Sequence, residues 1–504
     1  MRQVQGLPEL VITLGGRRLP AAEVAPVESV RVRFALAQPA QCEIVWHLPD
    51  SSALRRLDAA PGDGLRVELG GRRRPLFEGE VTVTEYVHGA DASLEVRLRG
   101  YDALHRLRMR QHTRLHDDVD LAALATVLAE GSGLSVEGGA VHLGRVYQCA
   151  RSDLDLLVSA SARVGLYPVV DGSRLRLVGL RGEGEPRELE LGSSLHSAEL
   201  EVSQEPSYRS TETVRWDAAS AESSTGRGRS PGARAAVQVD PAPGSVGGGG
   251  TFVRVDEVIG DGGLADALAQ AELDVRSAAE VTAVLVAEGD PALRAGGQVR
   301  VSGVVPRLEG LYTVCEAVHK IDGTGYETTL STRPPTGPPP RLQDVVTLGV
   351  VDDVDDPESR GRARVRLPAY PDLVTGWAPV LVAAGGPDKG VVALPDAGDT
   401  VLVLLPARDP DQAVVLGGLY GRGGPPDSDV PGARGGRYTI RTSDGQRLRL
   451  DANAQSLTLT DGHGSLVELG PDLMRLSAAT DLVIEAPGRA LRVRARTVDF
   501  EEAT

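Results

Sequence analysis

Aromatic residues make up only 3% of this 504-residue chain, cysteine occurs three times, and lysine only twice, at Lys320 and Lys389. With so few aromatics, the cores must be thin and built from Val, Leu and Ala. Cys42, Cys149 and Cys315 are odd in number and far apart. That spacing excludes a disulfide framework and a zinc knuckle, and it fits a reducing cytoplasm. No apolar run approaches a membrane span. The opening stretch MRQVQGLPELVITLGGRRLP has no apolar core of the kind a signal peptide needs, so synthesis in the cytosol without a signal peptide is expected.

The charge balance is acidic, with a net charge of −16. An acidic chain repels phosphate backbones, so no nucleic-acid partner is expected. Basic residues do cluster at Arg72–Arg74 and around Arg106–Arg110, but no aromatic platform interleaves them; they read as solvated strand edges or subunit contacts. Glycine (60) and proline (33) are plentiful. That composition points to many short strands joined by tight turns, in a chain long enough for three to five domains.

Residues 7–101 alternate with period two, as in Val30–Phe34, Leu65–Leu69 and Leu94–Leu98, and read as strands. Residues 119–130 give a helical pattern that Asp118 or Asp120 would cap and Gly131 would stop. A second helix runs from Asp153 to Val164, ending at Gly165, and a third covers 264–280. Residues 218–250 are rich in Ser, Gly, Ala and Pro and read as a mobile loop. The stretch Arg333–Pro340 is a stiff Pro-rich boundary. A second Gly/Pro segment, 421–436, precedes the tail.

Comparing the chain with itself exposes a repeat. Residues 75–88 read PLFEGEVTVTEYVH and residues 306–319 read PRLEGLYTVCEAVH, identical at eight of fourteen positions without a gap. The shared positions include Glu78/Glu309, Gly79/Gly310, Val83/Val314 and His88/His319. Two similar β-barrels with the helical segment inserted between them follow from this. One chain with two like barrels, assembled as a trimer, makes a ring of six like units.

Residues 437–500 alternate persistently, with apolar pairs two apart such as Leu448/Leu450, Leu457/Leu459, Leu482/Ile484 and Leu491/Val493. Turn residues separate them at roughly eight- to ten-residue spacing, as in a solenoid or intertwined β-helix. Such short strands offer too few inward residues to bury a face alone; three copies wound together would do so and would remove the exposed edges. An ordinary β-sandwich is the alternative.

The segment 345–420 carries a family pattern. Its residues run Gly349–Val351, Asp356-Pro357, Gly361–Pro368, Gly376–Ala378, Leu394-Pro395, Gly398–Val403, Asp409-Pro410 and Val414–Tyr420. This series resembles the OB-fold domain of phage baseplate spikes and of the VgrG family of type VI secretion. Gly100–Leu104 with Ser152–Leu157, and Gly289–Pro291 with Gly310–Tyr312, resemble the hub of VgrG and of late control protein D. The resemblance implies a mainly β, multidomain chain: two related β-barrels with an α/β insertion, an OB-fold barrel, and a C-terminal trimeric β-helix or prism.

The implied segments are a first hub barrel at 1–110, an inserted α/β segment at 111–205 and a second hub barrel at 206–333. A linker at 334–340 then leads to an OB neck at 341–420, a linker at 421–436 and a needle at 437–504. The implied role is the structural hub and membrane-piercing spike at the tip of a contractile injection system. Implied partners are two further copies of the chain, an Hcp-like tube ring, baseplate proteins, the target membrane on firing, and a PAAR-type tip cap. The cap is expected because the chain ends TVDFEEAT, with no histidine after His463 to hold an apical metal.

Enzyme chemistry finds no foothold. HExxH, G-x-S-x-G, Walker A and dinucleotide fingerprints are absent. His112 and His116 read as strand or turn residues rather than half a metal site, and His88 and His319 as structural hydrogen-bonders. The acidic run 352–356 lacks the EF-hand glycine and glutamate and reads as a solvated loop. No catalytic residue, cofactor or metal is therefore expected. Trp46, Trp216 and Trp377 read as barrel core residues, with Trp377, Leu394 and Val401 building the OB core. Leu482, Ile484, Leu491 and Val493 form the needle interior. The rival readings are a spike-borne hydrolase and a carbohydrate-binding β-rich adhesin.

Overall fold

The computed structural model describes residues 8–48, 59–72, 74–90, 93–205, 207–217, 222–233, 235–237, 250–254, 262–335, 344–386, 389–420, 424–426 and 436–501. The chain forms two compact units, Met1–Gly418 and Leu419–Thr504.

Alternation writes the first unit. In Gln41–Leu48 and Leu94–Tyr101 every second residue is buried, as period-two strands on a one-sided core require. These strands belong to a sheet of eleven. Its order is Leu195–Val202, Val281–Glu288, Gly325–Ser331, Glu316–Asp322, Val27–Ala35, Gln41–Leu48, Leu94–Tyr101, Phe77–His88, Gly64–Leu69, Leu10–Leu14 and Arg17–Arg18. Behind it lie two separate cores, one around Trp46, Ile44 and Leu98 and one around Leu285, Tyr312 and Val301. The two halves predicted from the repeat are thus joined: Glu316–Asp322 pairs with Val27–Ala35, with Ala317 opposite Phe34 and Ile321 opposite Val30. Pairing the two edges satisfies backbone groups that two separate open sheets would leave unpaired.

The repeat strands occupy matching places. Phe77–His88 pairs first with Gly64–Leu69 and then, past a bulge between Val81 and Val83, with Leu94–Tyr101. The second copy follows the same path in two pieces. Gly310–Thr313 pairs with Gly297–Ser302, and Glu316–Asp322 pairs with Gly325–Ser331. Both copies need glycine for close approach: a Cβ on Gly79 would stand 2.2 Å from the Tyr101 carbonyl oxygen, and one on Gly310 would stand 2.1 Å from that of Ala236.

The insertion packs helices Leu121–Ala129 and Asp153–Arg163 on a shared core of Leu104, Leu124, Leu128 and Leu157. Asp120 caps the first by accepting from the Ala123 amide at 2.7 Å, and Ser152 caps the second through the Asp155 amide at 3.1 Å. Gly165, with φ of +73°, ends the second helix. The insertion is shorter than the 111–205 expected: Glu183–Glu190 and Leu195–Val202 already pair with Gly297–Ser302 and Val281–Glu288 of the second half.

The loop expected over 218–250 is also corrected in part. Glu222–Gly228 is a strand on Ser210–Asp217, and it lies against helix Gly262–Ala278 so closely that a Cβ on Gly226 would stand 2.1 Å from Ala265 backbone. Glycines that read as loop composition are there to let a strand approach a helix. Residues 218–221 and 238–249 of that loop, and 336–340 of the Pro-rich boundary, lie outside the described residues, as do 421–423 and 427–435 of the second linker.

The sheet of residues 345–419 runs Leu373–Val374, Arg362–Leu367, Val345–Asp353, Thr400–Leu405 and Val414–Leu419, with Ala378–Pro379 beside Arg362–Leu367. Its core is Val351, Val365, Leu367, Val401, Val403 and Leu405 with their neighbours. The barrel is seated on the insertion. Arg145 donates to Asp411 at 2.5 Å and to Asp117 at 3.1 Å, and a Cβ on Gly376 would fall 2.5 Å from that Asp411 oxygen.

The second unit is a meander of five antiparallel strands, Arg437–Arg441, Arg447–Asp451, Ser456–Thr460, Leu466–Leu469 and Met474–Ser477. Gly445 and Gly462 take the turns at positive φ. From 478 to 501 the chain forms no regular strand.

Candidate functional site

The second unit presents the most unusual surface. Directly opposed residues share a face of a sheet, so the register defines two continuous apolar rows. One runs Ile440, Leu448, Leu459, Val467 and Leu476; the other runs Tyr438, Leu450, Leu457, Leu469 and Met474. The opposite face carries residues such as Thr439, Arg449, Thr458, Glu468 and Arg475. The apolar face is open, with Ile440 69% and Met474 68% exposed. Downstream, Leu482, Ile484, Leu491 and Val493 are exposed as well. Soluble monomers rarely leave such contiguous apolar surface in water; it marks a binding face. Asp451 anchors the polar side, accepting from the Ala454 amide at 3.0 Å, from Arg449 at 2.8 Å and from Arg437 at 2.9 Å, and these contacts hold its carboxyl well below the usual range.

In the hub, the repeat residues separate into two kinds. Glu78 is exposed and pairs with Arg66 at 3.3 Å, and Val83 and His88 are exposed beyond the stretch that pairs with Gly64–Leu69. Glu309 instead accepts from the Gly303 amide at 2.8 Å, and Val314 and His319 are fully buried. His88 and His319 therefore do not share an environment, although they share a place in the repeat. The His319 Nε2–H donates to the Leu293 carbonyl at 2.9 Å, while Nδ1 accepts from the Tyr326 and Thr328 hydroxyls at 3.0 Å each. Burial lowers its pKa to about 3, so the ring is neutral and structural.

Close by, Arg294 stacks 4.4 Å over Phe34 and donates to the Pro75 carbonyl at 2.6 Å. It ties the second half to the first, and burial lowers its pKa to about 10. Sequence reasoning missed it, because a single arginine after Asp290 and Pro291 leaves no periodic signal. A cavity of about 220 Å³ opens here, lined by residues including Phe34, Asp102, Asp171, Arg187 and Arg294. Its lining includes two ion pairs, Arg74 with Asp171 at 2.5 Å and Arg176 with Glu183. It is a junction between modules and holds no evident catalytic pair.

The remaining candidates resolve into structural roles. His112 meets Asp153 at 3.1 Å, and His116 is buried with its pKa lowered, chiefly by burial. Among the described residues no three His, Cys, Asp or Glu gather as a metal site. The acidic run is not wholly solvated: Asp356 is buried, gripped by Arg362 at 2.7 and 3.0 Å. Cys42, Cys149 and Cys315 are free and buried, with thiol pKa values raised by burial.

Of the three residues expected to build the OB core, only Val401 sits in it. Trp377 is half-buried under Arg364, and Leu394 is 37% exposed on a segment that projects from the barrel. The small alternating Val, Leu and Ala residues fill so narrow a barrel without them. Trp46 is a core residue as expected, and the Trp216 side chain lies outside the described residues. Among the described residues no helix is long and apolar enough to cross a membrane.

Residues 347–420 match the type VI secretion system/phage-baseplate injector OB domain. In fold, the chain resembles a chain of the Francisella PdpA-VgrG complex in its lidded form, with a TM-score of 0.56 and 8% identity, over 94% of this chain and 81% of that one. It resembles a chain of the lidless PdpA-VgrG complex at a TM-score of 0.54 and 7% identity, over 94% and 99%. An E. coli component of the type VI secretion system aligns over 81% of this chain and 99% of its own, at a TM-score of 0.47 and 12% identity. No curated protein matches the chain in sequence. The family match thus covers the OB segment, and the likeness to the PdpA-VgrG chains shows a shared fold.

Proposed function

We propose that this chain works as a homotrimer, the structural hub and membrane-piercing spike at the tip of the inner tube of a contractile injection system, and not as an enzyme. The observation that carries this reading is the ten-residue apolar face of the 437–477 meander, continued by the exposed apolar residues of 478–501. One chain leaves that surface in water, and three chains wound about a common axis would turn it inward. Burying each side chain fully yields about 1.5–3 kcal/mol, so three such faces supply a large driving force for a stiff prism. The two matching halves of the hub would then place six like units on an Hcp-like ring. Baseplate proteins surround the hub, a PAAR-type cap closes the distal end, and the target membrane is met on firing.

Light scattering tests it. The full chain should have a mass of about 159 kDa, three times the 53.0 kDa chain, and a version ending at Gly424 should dissociate more readily. A full-length single chain in solution would overturn the reading.

A further inference from the structure

Where the OB barrel meets the insertion, the chain makes two short turns, Pro406–Arg408 and Pro410–Gln412. The first is strained: Ala407 and Arg408, neither of them glycine, take φ of +48° and +58° in succession. It is held from two sides. The Ala407 amide donates to Asp344 at 2.8 Å, and the Arg408 carbonyl faces the Cys149 thiol at 3.9 Å.

Asp409 lies between the turns, half-buried in the seam. Its carboxylate accepts from the Asp411 amide at 2.9 Å, and among the described residues no cation pairs with it. The nearest guanidinium is already engaged, because Arg145 pairs with Asp411 at 2.5 Å and with Asp117 at 3.1 Å. From the same strand, His142–Ser152, Tyr147 and Cys149 also face Asp409, with Arg151 behind Cys149. The Tyr147 hydroxyl is buried without a hydrogen-bond partner. Helix Asp153–Arg163 contributes Arg163 at its end, and the turns themselves contribute Arg408 and the Asp411 carboxylate. Two carboxylates thus share one enclosed seam whose bridging cation serves only one of them. Burial, with the Asp411 charge adding to it against the pull of the Asp411 amide, raises the Asp409 pKa to about 6.

We propose that this seam is a proton-sensitive clasp: the barrel sits firmly on the insertion while Asp409 is protonated and loosens when Asp409 ionises. A raised carboxyl favours the closed seam in its protonated form. That contribution is complete below about pH 4, the value of an exposed aspartate, and is lost as pH rises through about 6. A turn already strained needs little added repulsion to move. The clasp lies within one chain and does not depend on the trimer reading.

The test is hydrogen exchange on the full chain at about pH 5 and about pH 7, corrected for intrinsic amide rates and read on Pro406–Gln412 and His142–Ser152. Protection there should fall about tenfold from the lower to the higher pH, the ratio expected for a carboxyl moved from about 4 to about 6. Protection of Gln41–Leu48, in the core of the first half, should not change. Asp409→Asn keeps an acceptor for the Asp411 amide and leaves the Arg145 contacts in place, so its seam should be equally protected at both pH values. Equal protection of the parent at both values, the same fall in Asp409→Asn, or a matching fall in Gln41–Leu48 would overturn the clasp.

Discussion

Replacing Ile484 with serine distinguishes a needle interior from a solvated tail. In the single chain Ile484 is 61% exposed, so the substitution costs an isolated chain almost nothing; exposed sites usually respond within about 0.5 kcal/mol. In an intertwined prism that exposed share would be buried. Taking about 1.5–3 kcal/mol for complete burial of an aliphatic side chain, three-fifths of it is about 1–2 kcal/mol per chain. Threefold symmetry repeats the loss, so the trimer should lose roughly 3–6 kcal/mol of assembly free energy, a hundredfold or more in its dissociation constant at the lower figure. The assay is urea-induced dissociation followed by light scattering, with Ile484→Val as the conservative partner. The valine variant should shift the midpoint slightly and the serine variant strongly. A serine midpoint equal to that of the parent protein would refute the interior placement, whatever the oligomeric state.

Two further outcomes follow from the hub. Gly310→Ala should lower the thermal midpoint by several degrees, because its Cβ would meet the Ala236 carbonyl at 2.1 Å and backbone must move; Gly16→Ala, with nothing within 4 Å, isolates the strain of positive φ from such overlap. Asp102 accepts from the Ala40 and Leu104 amides, and burial raises its pKa to about 7. A raised carboxyl favours folding when protonated. That contribution is complete below about pH 4, the unfolded value, and is lost as pH rises through about 7. Asp102→Asn keeps an acceptor without the charge, so its stability relative to the parent should rise between pH 4 and 7 in urea melts. A constant difference across that window would show that Asp102 does not titrate there.

The strands, the helix caps and the repeat were legible in the residues because each is written locally. Period-two alternation marks a one-sided sheet wherever it falls, an aspartate before Leu121 caps a helix through its own neighbours, and both 75–88 and 306–319 pair first with the strand before them and then with the strand after. The OB segment was legible from its ordered series of motifs, and the apolar rows of the tail from their alternation. What each residue does after folding was not. His88 and His319 are identical in the repeat, yet one is exposed and the other is sealed among Leu293, Tyr326 and Thr328, with Phe34 of the first half packed edge-on against its ring. Leu394 and Trp377 carry the family pattern but lie outside a core already filled by Val351, Val365 and Val401. The joining of the two halves into one sheet was equally hidden, since it depends on which edges meet. Alternation reports that a strand has a buried face; only long-range pairing decides which partner buries it.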